Sequence, residues 1–90
     1  MSTPEVVLTD HARWQASRRG LDEATVMRVA TTPEQVVPVG KGREVRQSRI
    51  PFGPQGKMFL VRIVVDVSPI EMRIVTAYRT RKIDKYWRKP

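Results

Sequence analysis

The residues of this chain able to do chemistry form a short set: one histidine, His11, a dozen arginines spread along the chain, and two tyrosines, Tyr78 and Tyr86. There is no cysteine, and the carboxylates are scattered singly, so no cluster has metal-ligand spacing. None of the four serines sits in a recognisable nucleophile context. Glycines 40, 42, 53 and 56 fall in hairpin turns and not between a strand and a helix, which excludes phosphate-loop and dinucleotide fingerprints. Acid–base chemistry and charge stabilisation remain, with no cofactor expected. Cleaving RNA without a metal asks for little more: one group to take the 2′-hydroxyl proton, cations to hold the phosphorane charge, and one group to protonate the leaving oxygen.

Histidine is the side-chain type suited to carrying protons near neutral pH. At the start of a helix His11 reads equally as a cap or as a packing partner for Trp14, three residues on. The Arg18-Arg19 pair fits a phosphate, because guanidinium forks match its oxygens, or opposes the helix dipole from the last turn. Of Arg43, Arg46 and Arg49, which alternate between the faces of a strand, Arg46 is selected as a phosphate ligand. Thr76, Tyr78 and Arg79 place a hydroxyl, a phenol and a guanidinium in one short segment, although Tyr78 also reads as an aromatic at the rim of a core. Beyond them Arg81, Lys82 and Lys85 are interleaved with Tyr86 and Trp87, pairing phosphate-binding cations with base-stacking rings, or else making a solvated tail.

The elements that must position these residues belong to one domain, since 90 residues support a single modest core. The ends, 1–5 and 88–90, are expected to fray. Absence of cysteine suits a reducing cytosol, and a cytoplasmic, membrane-free location is expected, because the longest apolar stretch, 58–67, is interrupted by Arg62 and Asp66. The net charge of +8 divides unevenly: residues 1–40 carry four basic and five acidic side chains, and residues 41–90 carry 13 and four. A basic half of this kind points to a polyanion.

Thr9-Asp10 reads as a helix start and Gly20 as its stop; Asp22 caps a second helix, with Leu21, Ala24, Val26, Met27, Val29 and Ala30 as its apolar stripe, ending at Thr31-Thr32-Pro33. Strands follow over 35–39, 43–51, 58–67 and 72–80, with Val6–Leu8 as an optional first strand. Phe59, Val61, Ile63, Val65 and Val67 share the face expected against the helices, while Met72, Ile74, Thr76 and Tyr78 are expected on one face of the last strand. Ile83, Tyr86 and Trp87 have helical spacing, which favours a short C-terminal helix over an extended arm. The expected architecture is α+β: a helical hairpin packed on one face of a four-stranded antiparallel sheet.

His11-Ala12, then Arg19-Gly20-Leu21, then a short helix to Pro33, a hairpin, an apolar strand and Ile74-Val75-Thr76-Ala77-Tyr78 together resemble small bacterial domains of unknown function that open with an "HA…RG(I/L)" helix and close with a "(V/I)VTVY" strand. Those domains are similar to the RelE/ParE and BrnT toxins, and the resemblance covers roughly residues 6–80. It implies a RelE-like fold and a metal-independent ribonuclease acting on RNA, ribosome-associated RNA included, that an acidic antitoxin holds inactive by covering its basic surface. Carried over by position, it implies His11, Arg19, Thr76 and Tyr78 as catalytic residues. His11 and Tyr78 would exchange protons, and Arg19, Arg46 and Arg79 would hold phosphate. One departure is Gln15, where the family commonly has arginine four residues after the histidine, which leaves the clamp to Arg18 or Arg46. The alternatives are a non-catalytic nucleic-acid-binding module and a protein-interaction domain.

Overall fold

Short oxygen-bearing side chains start both long helices, as expected. Thr9 Oγ1 accepts from the Ala12 N–H at 3.2 Å, and Asp22 Oδ1 accepts from the Thr25 N–H at 2.9 Å. Between them Gly20, at φ +70°, closes the first helix: the Leu21 N–H returns to the Ala16 carbonyl and the Gly20 N–H to that of Ser17. A computed structural model describes residues 4–89 and gives the order β1 (Glu5–Leu8), α1 (Asp10–Arg18), α2 (Glu23–Thr31), β2 (Gln35–Gly40), β3 (Arg43–Phe52), β4 (Lys57–Val67), β5 (Glu71–Thr80) and α3 (Ile83–Tyr86). Among the described residues no helix is long and apolar enough to cross a membrane.

The fold is α+β, but its sheet is five-stranded and mixed, not four-stranded and antiparallel. Its order is β1-β5-β4-β3-β2, with β1 parallel to β5 and every other pair antiparallel. The expectation fell short because β5 offers a free edge beside its first half, and residues 5–8 satisfy it from Glu5 opposite Glu71 to Leu8 opposite Ile74. The junction is pinned where β1 becomes α1, since both the N–H and the hydroxyl of Thr9 donate to the Ile74 carbonyl. Of the ends expected to fray, residues 1–3 and 90 lie outside the described residues. The Glu5 N–H donates to Ile70, and the Arg88 backbone is held from both sides by the Gln35 side chain.

One face of the sheet meets the helical hairpin. Ala12, Ala16, Leu21, Val26, Val29 and Ala30 pack there against Ile50, Val61, Ile63, Val65, Met72, Ile74 and Ala77. The apolar face expected for β4 is the buried one. In α2 the stripe is narrower than expected, running through Val26, Val29 and Ala30, while Ala24 is exposed.

β5 departs from its expected pattern. Val64 pairs with Thr76 and Val65 with Ile74, so Val75 is an extra residue inserted in the ladder. A one-residue bulge reverses the facing of everything beyond it. Met72 and Ile74 therefore face the helices, whereas Thr76 and Tyr78 turn to the opposite face and Ala77 and Arg79 take their place on the helix side. The C-terminal segment forms a single helical turn and then crosses the face the helices leave open.

Candidate nucleic-acid interface

Strand register sets Gln35, Gln47, Arg62 and Tyr78 directly opposite one another on β2, β3, β4 and β5. These four residues, far apart in the chain, make one hydrogen-bonded row straight across the sheet on the face away from α1 and α2. Gln47 Nε2 donates to Gln35 Oε1 at 2.8 Å, Arg62 Nε to Gln47 Oε1 at 2.9 Å, and Arg62 Nη1 to the Tyr78 hydroxyl at 2.6 Å. Gln47 is fully buried, so its amide has no recourse to water. The tail closes over the row: Gln47 also donates to the Tyr86 carbonyl at 3.1 Å, and the Tyr86 ring lies 4.0 Å from the Arg62 guanidinium.

Tyr78 is also where α1 meets the row. α1 starts level with Ile74 and runs alongside β5, tied to it by Gln15, whose Oε1 accepts from the Ala77 N–H at 3.4 Å. At its end the Arg19 guanidinium stands 5.8 Å from the Tyr78 ring. Arg79, one residue on and facing the other way, lies between the Phe52 and Phe59 rings at 4.5 and 4.6 Å. Gly20 makes room for it, since a Cβ there would come within 3.0 Å of Arg79 Nη2.

The cations differ in whether an acid cancels them. Arg13, Arg43, Arg46, Arg49 and Arg73 each lie within 2.6–3.3 Å of a carboxylate: Glu23, Asp66, Glu44, Glu34 and Glu71. The hydrogen bonds from Arg49 hold the Glu34 carboxyl below its ordinary value, and those from Arg43 do the same for Asp66. Both guanidinium groups are correspondingly raised. Among the described residues Arg18, Arg19, Arg62, Arg79, Arg81, Lys82 and Lys85 have no such partner. Among the described residues the uncancelled charge therefore includes three arginines from the half of the chain with net charge −1, Arg18, Arg19 and Arg28, and omits four from the basic half.

No protein-family model matches this chain, and no curated protein or solved structure matches it. What the site can do is therefore argued from its own groups. Among the described residues no three His, Cys, Asp or Glu side chains gather as metal ligands.

Of the residues selected from sequence, Arg19 and Tyr78 fall together near the end of β5, with Thr76 two residues earlier on the face of Tyr78, Arg18 beside Arg19 in the chain, and Arg79 on the opposite face. Arg46 is spent elsewhere, donating to the Ala30 carbonyl at the end of α2 at 2.8 Å and to Glu44 at 3.2 Å. His11 is exposed on the first turn of α1, its ring 6.1 Å from that of Trp14. Eight residues of helix, about 12 Å of rise, separate it from Arg19. The structure does not bring it to Tyr78. Gln15 has a structural task, joining α1 to β5, in place of the expected arginine. Arg81, Lys82 and Lys85 are exposed in and before α3.

Sequence reading missed Arg62 and Gln47. Arg62 carried a signal, as a single cation near the middle of an apolar strand, where an unpaired charge costs several kcal/mol unless something holds it. It appeared only as an interruption because its partners come from two other strands and the tail.

Proposed function

We propose that this domain acts on RNA, seating the phosphodiester backbone at the end of β5 and cleaving it there by side-chain acid–base chemistry, in the manner of a RelE-like toxin. One observation carries the reading: Arg19, Arg62 and Tyr78 converge with no carboxylate among them, Arg62 donating to the Tyr78 oxygen at 2.6 Å. That bond occupies a lone pair and leaves the phenolic hydrogen free to face a ligand. In the reaction the RNA 2′-oxygen attacks phosphorus, its proton passing to water. The 5′-oxygen departs with the proton of Tyr78, leaving a 2′,3′-cyclic phosphate and a 5′-hydroxyl, and the phenolate regains a proton from solvent. Arg19, with Arg18 beside it, faces the phosphorane oxygens, where a cation in place before the reaction contributes most. The order of elements supports the comparison with RelE-like domains, a helical hairpin lying between a first strand and an antiparallel meander. An acidic antitoxin would bind the same uncancelled cations.

Incubation of the purified protein with RNA, with and without EDTA, tests this. Cleavage is expected to survive chelation and to fall at least a hundredfold in Tyr78→Phe and Arg62→Ala, in line with the loss of a proton carrier or an oxyanion donor. Intact RNA after incubation with the wild type would refute it.

A second reading, a nucleic-acid-binding module without catalysis, draws on how thoroughly Arg62 is engaged. Gln47 and Tyr78 take two of its five N–H donors and the Tyr86 ring covers one side. It predicts RNA retention that weakens steeply with salt, with no cleavage.

A further inference from the structure

The exposed side of α1 carries a feature that the reading above does not use. Ala12 and Ala16 turn into the core, and that sends Trp14, midway between them, outward, where it remains 55% exposed. A lone exposed apolar side chain is ordinary, and Val36, Val39, Met58 and Ile70 are others. Trp14 differs in what stands around it. On its N-terminal side the His11 ring lies nearly parallel, at 29°, with centres 6.1 Å apart; on its C-terminal side the Arg18 guanidinium stands 4.9 Å from the indole centre. At its foot is a cavity of about 260 Å³ lined by Trp14, Gln15, Arg18 and Arg19. Among the described residues no carboxylate lines it. Among the described residues the Gln15 –NH2 group has no acceptor, its oxygen being held by Ala77.

We propose that His11 and Trp14 are the two jaws of a nucleobase subsite, and that Arg18 and Arg19 hold the phosphate of the same nucleotide. Rings in contact sit about 3.5–4.0 Å apart, so one flat heterocycle between two others needs about 7–8 Å. The present separation is short of that by an ångström or two, and rotation of two exposed side chains supplies it. Stacking accepts any base, because every base has a π-face, while the cations act on the backbone. The ligand is thus single-stranded RNA, and the subsite rests on the proposed action on RNA. Arg19 belongs both to this cavity and to the Tyr78 cluster, so a nucleotide held by the jaws places a neighbouring phosphodiester at Tyr78. His11 becomes a binding residue, consistent with its distance from the phenol. A protein partner would use the same exposed indole as an anchor, but the lining offers cations and an amide and no apolar rim, which favours the polyanion.

Trp87→Phe leaves Trp14 as the only indole, and its fluorescence can be followed while a labelled single-stranded RNA hexamer is titrated and its anisotropy recorded. Quenching is expected to saturate together with the anisotropy. In the wild-type background Trp14→Ala should weaken RNA binding about 5- to 150-fold, the equivalent of the roughly 1–3 kcal/mol a stacked base contributes, and Trp14→Phe should recover most of it. Urea midpoints equal to wild type verify that the variants fold. RNA binding with unchanged indole emission and no loss in Trp14→Ala would overturn the subsite and leave the action on RNA standing. No binding of the hexamer at low salt would overturn both. A poly-glutamate peptide that quenches Trp14 where the hexamer does not would overturn the subsite in favour of an acidic protein partner.

Discussion

The arginines of β3 and those gathered around the end of β5, Arg18, Arg19, Arg62 and Arg79, are the same residue type put to opposite uses. On β3, Arg43, Arg46 and Arg49 each lie against a carboxylate, and their charge is cancelled within the molecule. At the end of β5 the guanidinium groups lie against rings: Arg62 with Tyr78 and Tyr86, Arg79 with Phe52 and Phe59, Arg19 with Tyr78, Arg18 with Trp14. A ring orients a cation and shields its stem without neutralising it, so the charge remains available to a third party. Arg49 makes the contrast within one residue, since it stacks on Trp87 at 4.0 Å and is still cancelled by Glu34. Net charge therefore says little about where a polyanion binds until the internal pairs have been taken out.

The strongest way to break this comparison is at Arg62. Arg62→Ala strands the buried Gln47 oxygen and should cost about 2–3 kcal/mol, since an unsatisfied buried polar group forfeits its full desolvation penalty. It should also reduce RNA affinity at least tenfold. Arg43→Ala, which removes an exposed ion pair, should leave the urea midpoint and the RNA affinity close to wild type. Equal losses in the two variants would mean that cancelled and uncancelled arginines are not distinct. Next in size, Gly20→Ala places a side chain at φ +70° and against Arg79, and a thermal melt should show destabilisation of about 1–2 kcal/mol. A smaller and more selective effect is expected in the salt dependence of RNA binding. Arg18→Ala, Arg19→Ala and Arg79→Ala should each lower the slope of log K against log salt by about one, while Arg49→Ala leaves it unchanged.

Much of the scaffold could be read from local chemistry. Thr9 and Asp22 cap their helices, Gly20 takes the conformation other residues resist, and the odd positions of β4 line the core. These features depend on neighbours in sequence. The partner of β1 was not legible, because a four-residue strand gains its ladder only from an edge that the rest of the fold creates. Nor was the bulge at Val75, an apolar residue among apolar residues whose insertion is visible only against β4. The candidate site depends on both kinds of non-local fact. Tyr78 and Arg79 were found from their types, but the bulge decides which face each serves, and the row 35–47–62–78 exists only once four strands share a register. The pairs Arg43–Asp66 and Arg49–Glu34, which cancel two of the β3 cations, also join residues distant in sequence.

The smallest effect is the most discriminating, because it converts one kind of arginine into the other. Glu34 is held below the ordinary glutamate value of 4.5, first by the Arg49 side chain and then by its backbone N–H, which donates at 2.7 Å. A carboxylate with a lower value folded than unfolded contributes stability that is fully present above about pH 4.5 and is lost as the pH falls through the folded value. Glu34→Gln should therefore be slightly less stable than wild type near neutrality, the pair being exposed to water, and the two urea midpoints should converge as the pH is taken below 4.5. Meanwhile the variant leaves Arg49 beside Trp87 with no acid, the arrangement found at the end of β5. The slope of RNA affinity against salt should then rise by about one. An unchanged slope would show that carboxylate pairing is not what keeps β3 out of the interface, and that position on the sheet decides it instead.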